Sequence, residues 1–331
     1  MATSAREPVT RFGLQINSFT YPGVPDGELF ERIAQIAGTA ERSGFDSIWV
    51  MDHLYQIAVV GARTEPMLEA YSLLCGIAAR TSRAQLGTMV TGVTYRNPAL
   101  LAKMVTTLDI VSSGRAILGI GAAWNEDEHH GYGFEFPPLR ERFERLEDAV
   151  QICRAMFTEE APSFAGVRYH IDAALNFPRP LRPGGPPLLI GGSGEKRTIP
   201  MVARYADACN FFGDADTIRR KVRILEEACE KIGRDPAEIT KTRLGPVNIA
   251  ATQAAAERNA KRVAEMRNIP PEAAATSFIT GDPDTVLERV EEFLDAGLDG
   301  LLISLPDAHD LEPIDLAGRT LAGRLGSATA V

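Results

Sequence analysis

The chain has 331 residues, 45% of them hydrophobic, 24% charged and 7% aromatic, a composition ordinary for a globular protein and unlike disordered, collagenous or coiled-coil sequences. Lys and Arg number 35 against 44 Asp and Glu, a net charge of −9, which argues against a nucleic-acid partner, because duplex binders carry a basic excess. Cys75, Cys153, Cys209 and Cys229 show no CxxC spacing, so neither a disulfide framework nor a zinc site is expected. No apolar run approaches the roughly 20 residues of a membrane span, and Met1 to Pro8 lacks a signal-peptide core. The expectation is a soluble, cytoplasmic protein.

Short apolar runs alternate with segments of helical period along the chain. Arg11 to Phe19 alternates like a strand, and Glu28 to Arg42 follows with Leu29, Ile33, Ile36, Ala37 and Ala40 at helical spacing. Asp46 to Asp52 is a second strand and Met67 to Ala79 a second helix. Ala84 to Val90 is a third strand, and Asn97-Pro98 opens a helix with proline in its first turn. Arg115 to Gly121 is a fourth strand. A long amphipathic helix from Arg140 follows, with Phe143, Leu146, Val150, Cys153 and Phe157 on one stripe. Leu188 to Ile190, Ala208 to Phe212, Thr242 to Ile249 and Gly300 to Leu305 complete eight strands, with helices after Gly194 and from Asp216 to Ile232. Such alternation implies a parallel sheet. Eight units and no GxGxxG after the first strand favour a single (β/α)8 TIM barrel over an open doubly wound sheet. The whole chain, 1–331, reads as one domain, with insertions near 158–187 and 252–280.

Chemistry in such barrels gathers at the carboxyl ends of the strands. Asp52-His53 ends strand two, and a histidine there can exchange a proton near neutral pH; the alternative is a capping Asp beside a packing His. Gly191 to Gly194 precedes a helix whose free N–H groups, with Lys196 and Arg197 nearby, suit a phosphate, or else simply make a tight turn. Gly119, Gly121, Ala122 and Ala123 leave room for a flat ring against the backbone, although close barrel packing would explain them equally. Trp124 either walls a pocket or fills the barrel mouth. Glu126 to His130 resembles a metal-ligand run, but adjacent residues diverge and a solvated loop is the expectation. HExxH, GxSxG and P-loop patterns are absent.

Three stretches together carry a resemblance: SIWVMDHL (47–54), the run from Gly87 to Pro138, and PPLLIGGSGEKRTIPMVARYADACN (186–210). They resemble the luciferase-like monooxygenase superfamily, and within it the actinobacterial branch of coenzyme F420-dependent oxidoreductases. That resemblance implies a bacterial-luciferase-like TIM barrel with a deazaflavin at its carboxyl face. Asp52 and His53 would lie beside the ring, His53 moving the proton and Asp52 orienting it. A non-proline cis bond at Thr88-Met89 would back the ring, with Thr91 touching it. Ala122, Ala123 and Asn125 would hold the ring and ribityl chain, and Gly192, Ser193, Gly194 and Arg197 or Thr198 the phosphate. The related sugar-phosphate dehydrogenases carry a catalytic Glu where this chain has Trp124, which leaves the second acid or base unassigned; neither Glu126 nor Glu128 is given the role.

The reaction so implied is hydride transfer between C5 of F420 and a small organic substrate. An FMN-dependent monooxygenase fed by a separate flavin reductase is the alternative, and a non-catalytic cofactor-binding protein the reading outside enzymes. Dimers are common in that superfamily, so a homodimer is among its implications. Substrate-pocket loops would be Tyr55 to Met67, Thr158 to Pro187 and the segment before Thr280.

Overall fold

The computed structural model describes residues 9–267, 269 and 278–326; the opening segment Met1 to Pro8 and most of the stretch before Thr280 lie outside them. Eight parallel strands close on themselves. They are β1 (Phe12–Ile16), β2 (Ser47–Val50), β3 (Gln85–Thr88), β4 (Ala116–Gly121), β5 (Leu188–Gly191), β6 (Ala208–Phe211), β7 (Thr240–Ile249) and β8 (Gly300–Ser304). Closure is explicit in the register: Thr240 of β7 pairs with Ala208 of β6, Thr242 with Gly300 of β8, and Phe12 of β1 with Leu301 of β8. All of these pairings are parallel, so the chain must recross the barrel through a helix between strands.

The strands are apolar on both faces because both are covered. Inward, Trp49, Ile117, Leu189, Ala208 and Leu302 form a cluster that fills the barrel. Outward, a larger core joins the strands to the surrounding helices. Helix α1 (Leu29–Arg42) buries Ile33, Ile36, Ala37 and Ala40, and α2 (Ala70–Ala78) starts where the Glu69 carboxylate accepts from the Tyr71 and Ser72 N–H groups. Helix α3 (Pro98–Val111) opens at Asn97, whose side chain accepts from the Ala99 N–H. A short α4 (Glu126–Tyr132) precedes α5 (Leu139–Thr158), which buries Leu146, Val150, Cys153 and Phe157 as its period requires, with Phe143 packed at the edge of the core. Helix α6 (Thr198–Tyr205) follows β5, and α7 (Ala215–Glu230) and α8 (Gln253–Met266) follow β6 and β7. A three-residue strand, Ile279–Gly281, pairs with the end of β7. Among the described residues no helix is long and apolar enough to cross a membrane.

The first insertion and the described part of the second sit at opposite ends of the barrel. Residues 158–187 join the end of α5 to the start of β5, so they lie at the amino end of the strands, away from the expected pocket. Their hairpin, Phe164–Ala165 with His170–Ile171, is tied to α5 where Asp148 accepts from the Arg168 and Tyr169 N–H groups. The expectation that this segment shapes a substrate pocket is therefore corrected. Helix α8, by contrast, follows β7 on the carboxyl side.

Strand β3 also ends earlier than its apolar run suggests. The ladder stops at Thr88, and the cis peptide is Met89-Val90, one bond beyond the expected Thr88-Met89. Val90 then lies across the ends of β4 and β5. A Cβ added to Gly121 or Gly191 would come within 2.8 Å of a Val90 methyl, and one on Gly119 within 2.0 Å of the Thr88 carbonyl. Those glycines are thus occupied by close barrel packing, the alternative their sequence left open. Gly119→Ala would force β3 and β4 apart, because the atom met is backbone and cannot swing aside. The expected cost is about 3 kcal/mol, measurable by urea unfolding; unchanged stability would contradict the close approach.

Candidate active site

The carboxyl ends of β2, β3 and β4 bring three loops together around two buried carboxylates. Asp52 and His53 follow β2, as their sequence position implies, but they do not pair with each other. Asp52, 4% exposed, turns to Arg96 from the loop after β3, which grips it at 2.7 and 2.9 Å, and accepts the Gly92 N–H at 3.1 Å. Arg96 reaches Glu69 at 2.7 Å as well and lies 5.0 Å over the Tyr71 ring. Burial pushes the Asp52 carboxyl above its ordinary value, with the Arg96 guanidinium and the Gly92 N–H pulling it back. The expected orienting of His53 by Asp52 is corrected.

That contact belongs to Glu128. Its Oε1 lies 2.7 Å from His53 Nδ1 and also accepts the Tyr95 hydroxyl, while its Oε2 accepts the Leu54 N–H at 2.6 Å and the Tyr55 N–H at 3.3 Å. The Glu128 side chain has no exposed surface. Burial alone would push its carboxyl up, but the donors from His53, Tyr95 and Leu54 outweigh it and hold the group below the usual carboxylate range. Glu126 to His130 is therefore helix with a buried inner face and not a solvated loop. His129 is buried too, with Nε2 at 2.6 Å from Thr94 Oγ1 and Nδ1 at 2.6 Å from the Asn125 carbonyl oxygen. Among the described residues no cluster of His, Cys, Asp and Glu is disposed to hold a metal.

The His53 side chain is 15% exposed and meets Trp124 edge-on, ring centroids 5.4 Å apart. Trp124 is 62% exposed and borders a cavity of about 870 Å³. Ile57, Val60, Asn125 and Met266 line that cavity too. Loops after β1, β2, β4 and β7 thus share one mouth. Ala123 adopts φ 59°, rare without glycine, and Arg142 donates to the Ala122 and Ala123 carbonyls. This tight turn aims Trp124 and Asn125 into the cavity.

The remaining expected residues divide into two groups. Thr88 and Thr91 are fully buried, their hydroxyls 2.7 Å apart and spent on the Gly119 carbonyl (3.0 Å) and the Tyr71 hydroxyl (2.7 Å). Met89 packs inside the barrel. These three support the site from beneath and present no free polar atom to a ligand. After β5, Gly192 takes φ 116° and Ser193 Oγ accepts the Phe212 N–H at 3.2 Å, tying the loop to the end of β6. The helix does not start at once: Glu195 to Arg197 form a turn, and α6 begins at the buried Thr198. Lys196 and Arg197 are exposed, with no ion-pair partner among the described residues.

Comparison with known proteins settles the family. A match to the family described as luciferase-like monooxygenase spans residues 10–266. The chain belongs to that family. It is 30% identical over 317 residues to an F420-dependent glucose-6-phosphate dehydrogenase of Segniliparus rotundus, covering 87% of this chain and 92% of that protein. Two solved family folds superpose closely. One is the coenzyme F420-dependent tetrahydromethanopterin reductase of Methanopyrus kandleri, with TM-score 0.78 and 19% identity over 96% of this chain and 99% of the other. The other is a type II Baeyer–Villiger monooxygenase of Pseudomonas putida in complex with FMN, with TM-score 0.75 and 18% identity over 96% and 98%. The luciferase-like barrel and its oxidoreductase character follow from this membership, as the resemblance in the sequence implies.

Proposed function

We propose that the protein is an F420-dependent oxidoreductase that exchanges hydride with a small organic alcohol or carbonyl compound. The observation that carries the reading is His53 at the end of β2, held by the buried Glu128 carboxylate and packed edge-on against Trp124, which borders the cavity. The F420-dependent dehydrogenase relative near 30% identity supports the cofactor. So does the donor set of the loop after β5, where Gly192 to Gly194 and the exposed Lys196 and Arg197 suit an anionic tail. The cavity beside Trp124 is lined by other loops and has the size of small-molecule sites, which suits the substrate. A deazaflavin held at this face of the barrel would supply hydride exchange at carbon C5.

The chain's own contribution is proton handling and shape. His53 Nε2 takes the hydroxyl proton as an alcohol is oxidised and returns it to the carbonyl oxygen in reverse. Ile57, Val60, Trp124 and Met266 offer an apolar wall that excludes water from the reacting carbon and favours a substrate with an apolar body. Asp52, through Arg96, holds the loops after β2 and β3 in register. FMN is the second reading, supported by the FMN complex of the Pseudomonas putida monooxygenase; it would require a separate reductase.

The test is anaerobic incubation with reduced F420 deuterated at C5 and a panel of aldehydes and ketones. The expected result is deuterium on the carbinol carbon of a product. Consumption of reduced cofactor only in the presence of oxygen, or no consumption at all, would overturn the proposal.

A further inference from the structure

We infer that Glu128 is the positioning residue of His53, setting both the place and the tautomer of the imidazole. The inference rests on the reading of His53 as the proton-handling group. Both oxygens of one carboxylate converge on the segment that carries the histidine. Oε2 accepts the N–H groups of Leu54 and Tyr55, the two residues after it, and Oε1 faces Nδ1 at 2.7 Å. An ionised carboxylate can only accept, and the Leu54 and Tyr55 N–H groups and the Tyr95 hydroxyl, all donating to it, favour the ionised form. The proton of a neutral imidazole must then sit on Nδ1, which leaves the Nε2 lone pair for a substrate hydroxyl. A carboxylate behind the ring also stabilises the imidazolium formed when that proton arrives, the division of labour seen in carboxylate–histidine pairs generally.

The surroundings explain why this carboxylate is available. Among the described residues Glu128 has no Lys or Arg partner, although Asp52 in the same cluster has one. Its fourth donor is the Tyr95 hydroxyl, which shares Oε1 with His53. Tyr95 thus moderates the pull on the imidazole, whereas Glu128 determines which nitrogen is protonated.

The test reads the ring itself in cofactor-free protein, so failure of the F420 reading leaves it intact. With ¹⁵N-labelled histidine, His53→Asn identifies the His53 signals among the chain's five histidines. The spectra are read at the alkaline end of a pH series, where the ring shifts no longer change, and the wild-type protein is expected to show Nδ1 protonated and Nε2 bare. Tyr95→Phe should keep that tautomer and move the Nδ1 proton downfield, because Oε1 then serves His53 alone. Glu128→Met should lose the preference and give a mixture of tautomers. An imidazole protonated at Nε2 in the wild-type protein, or a switch of tautomer in Tyr95→Phe, would overturn the inference. So would a pure Nδ1 tautomer in a folded Glu128→Met. Should Glu128→Met not fold, the wild-type and Tyr95→Phe spectra decide the matter.

Discussion

Replacing His53 with Ala is expected to lower turnover by about 10² to 10⁴-fold while leaving cofactor affinity nearly unchanged. The size is that of a positioned general acid–base group. The separation follows from the proposed layout: the loop after β5 is the one proposed to hold the anionic tail, and the histidine lies after β2. Steady-state rates beside a fluorescence titration of the same variant check it. Equal loss of rate and of cofactor binding would make His53 a cofactor ligand, and an unchanged rate would remove it from the reaction.

Arg96→Ala is expected to be the most destabilising substitution in the site. It removes two charge-assisted hydrogen bonds from an Asp52 carboxylate that is 4% exposed, together with the 2.7 Å contact to Glu69. A buried charge left without its partner costs about 3–5 kcal/mol. Urea unfolding of Arg96→Ala should show a loss of that order. The double replacement Asp52→Asn with Arg96→Met should lose less than Arg96→Ala alone, because no buried charge then remains. A loss below about 1 kcal/mol for Arg96→Ala would show the pair to be as weak as a surface ion pair.

The barrel was legible because each strand is buried on both faces and therefore reads as a compact apolar run; all eight runs correspond to barrel strands. Ends were less legible. Ala84 to Val90 (AQLGTMV) carries no break signal, yet the ladder stops at Thr88 so that Val90 can cross β4 and β5, and only the glycines opposite, 119, 121 and 191, hint at it. The site was legible as positions and not as partners. Asp52 and His53 stand at a strand end, which placed them at the carboxyl face, but adjacency in sequence suggested a contact where each side chain has its own partner. Their actual partners, Arg96 from the loop after β3 and Glu128 from α4, lie 44 and 75 residues away.

Glu128 was hidden for the same reason. In EDEHH every side chain looks solvated, and α4 is too short for its period to betray an inner face. The donors that justify burying one carboxylate, His53, Leu54, Tyr55 and Tyr95, become neighbours only when the barrel closes. The phosphate-like loop was recognisable from its glycines, whereas the extra turn from Glu195 to Arg197 was not, since Lys and Arg are also good helix formers.

The most direct test of the account is a side-by-side binding titration of the purified protein with F420 and FMN, followed by fluorescence quenching. The account predicts saturable, tight binding of F420 and negligible binding of FMN. Preference for FMN would contradict it and move the chemistry of this site from hydride exchange to oxygen activation.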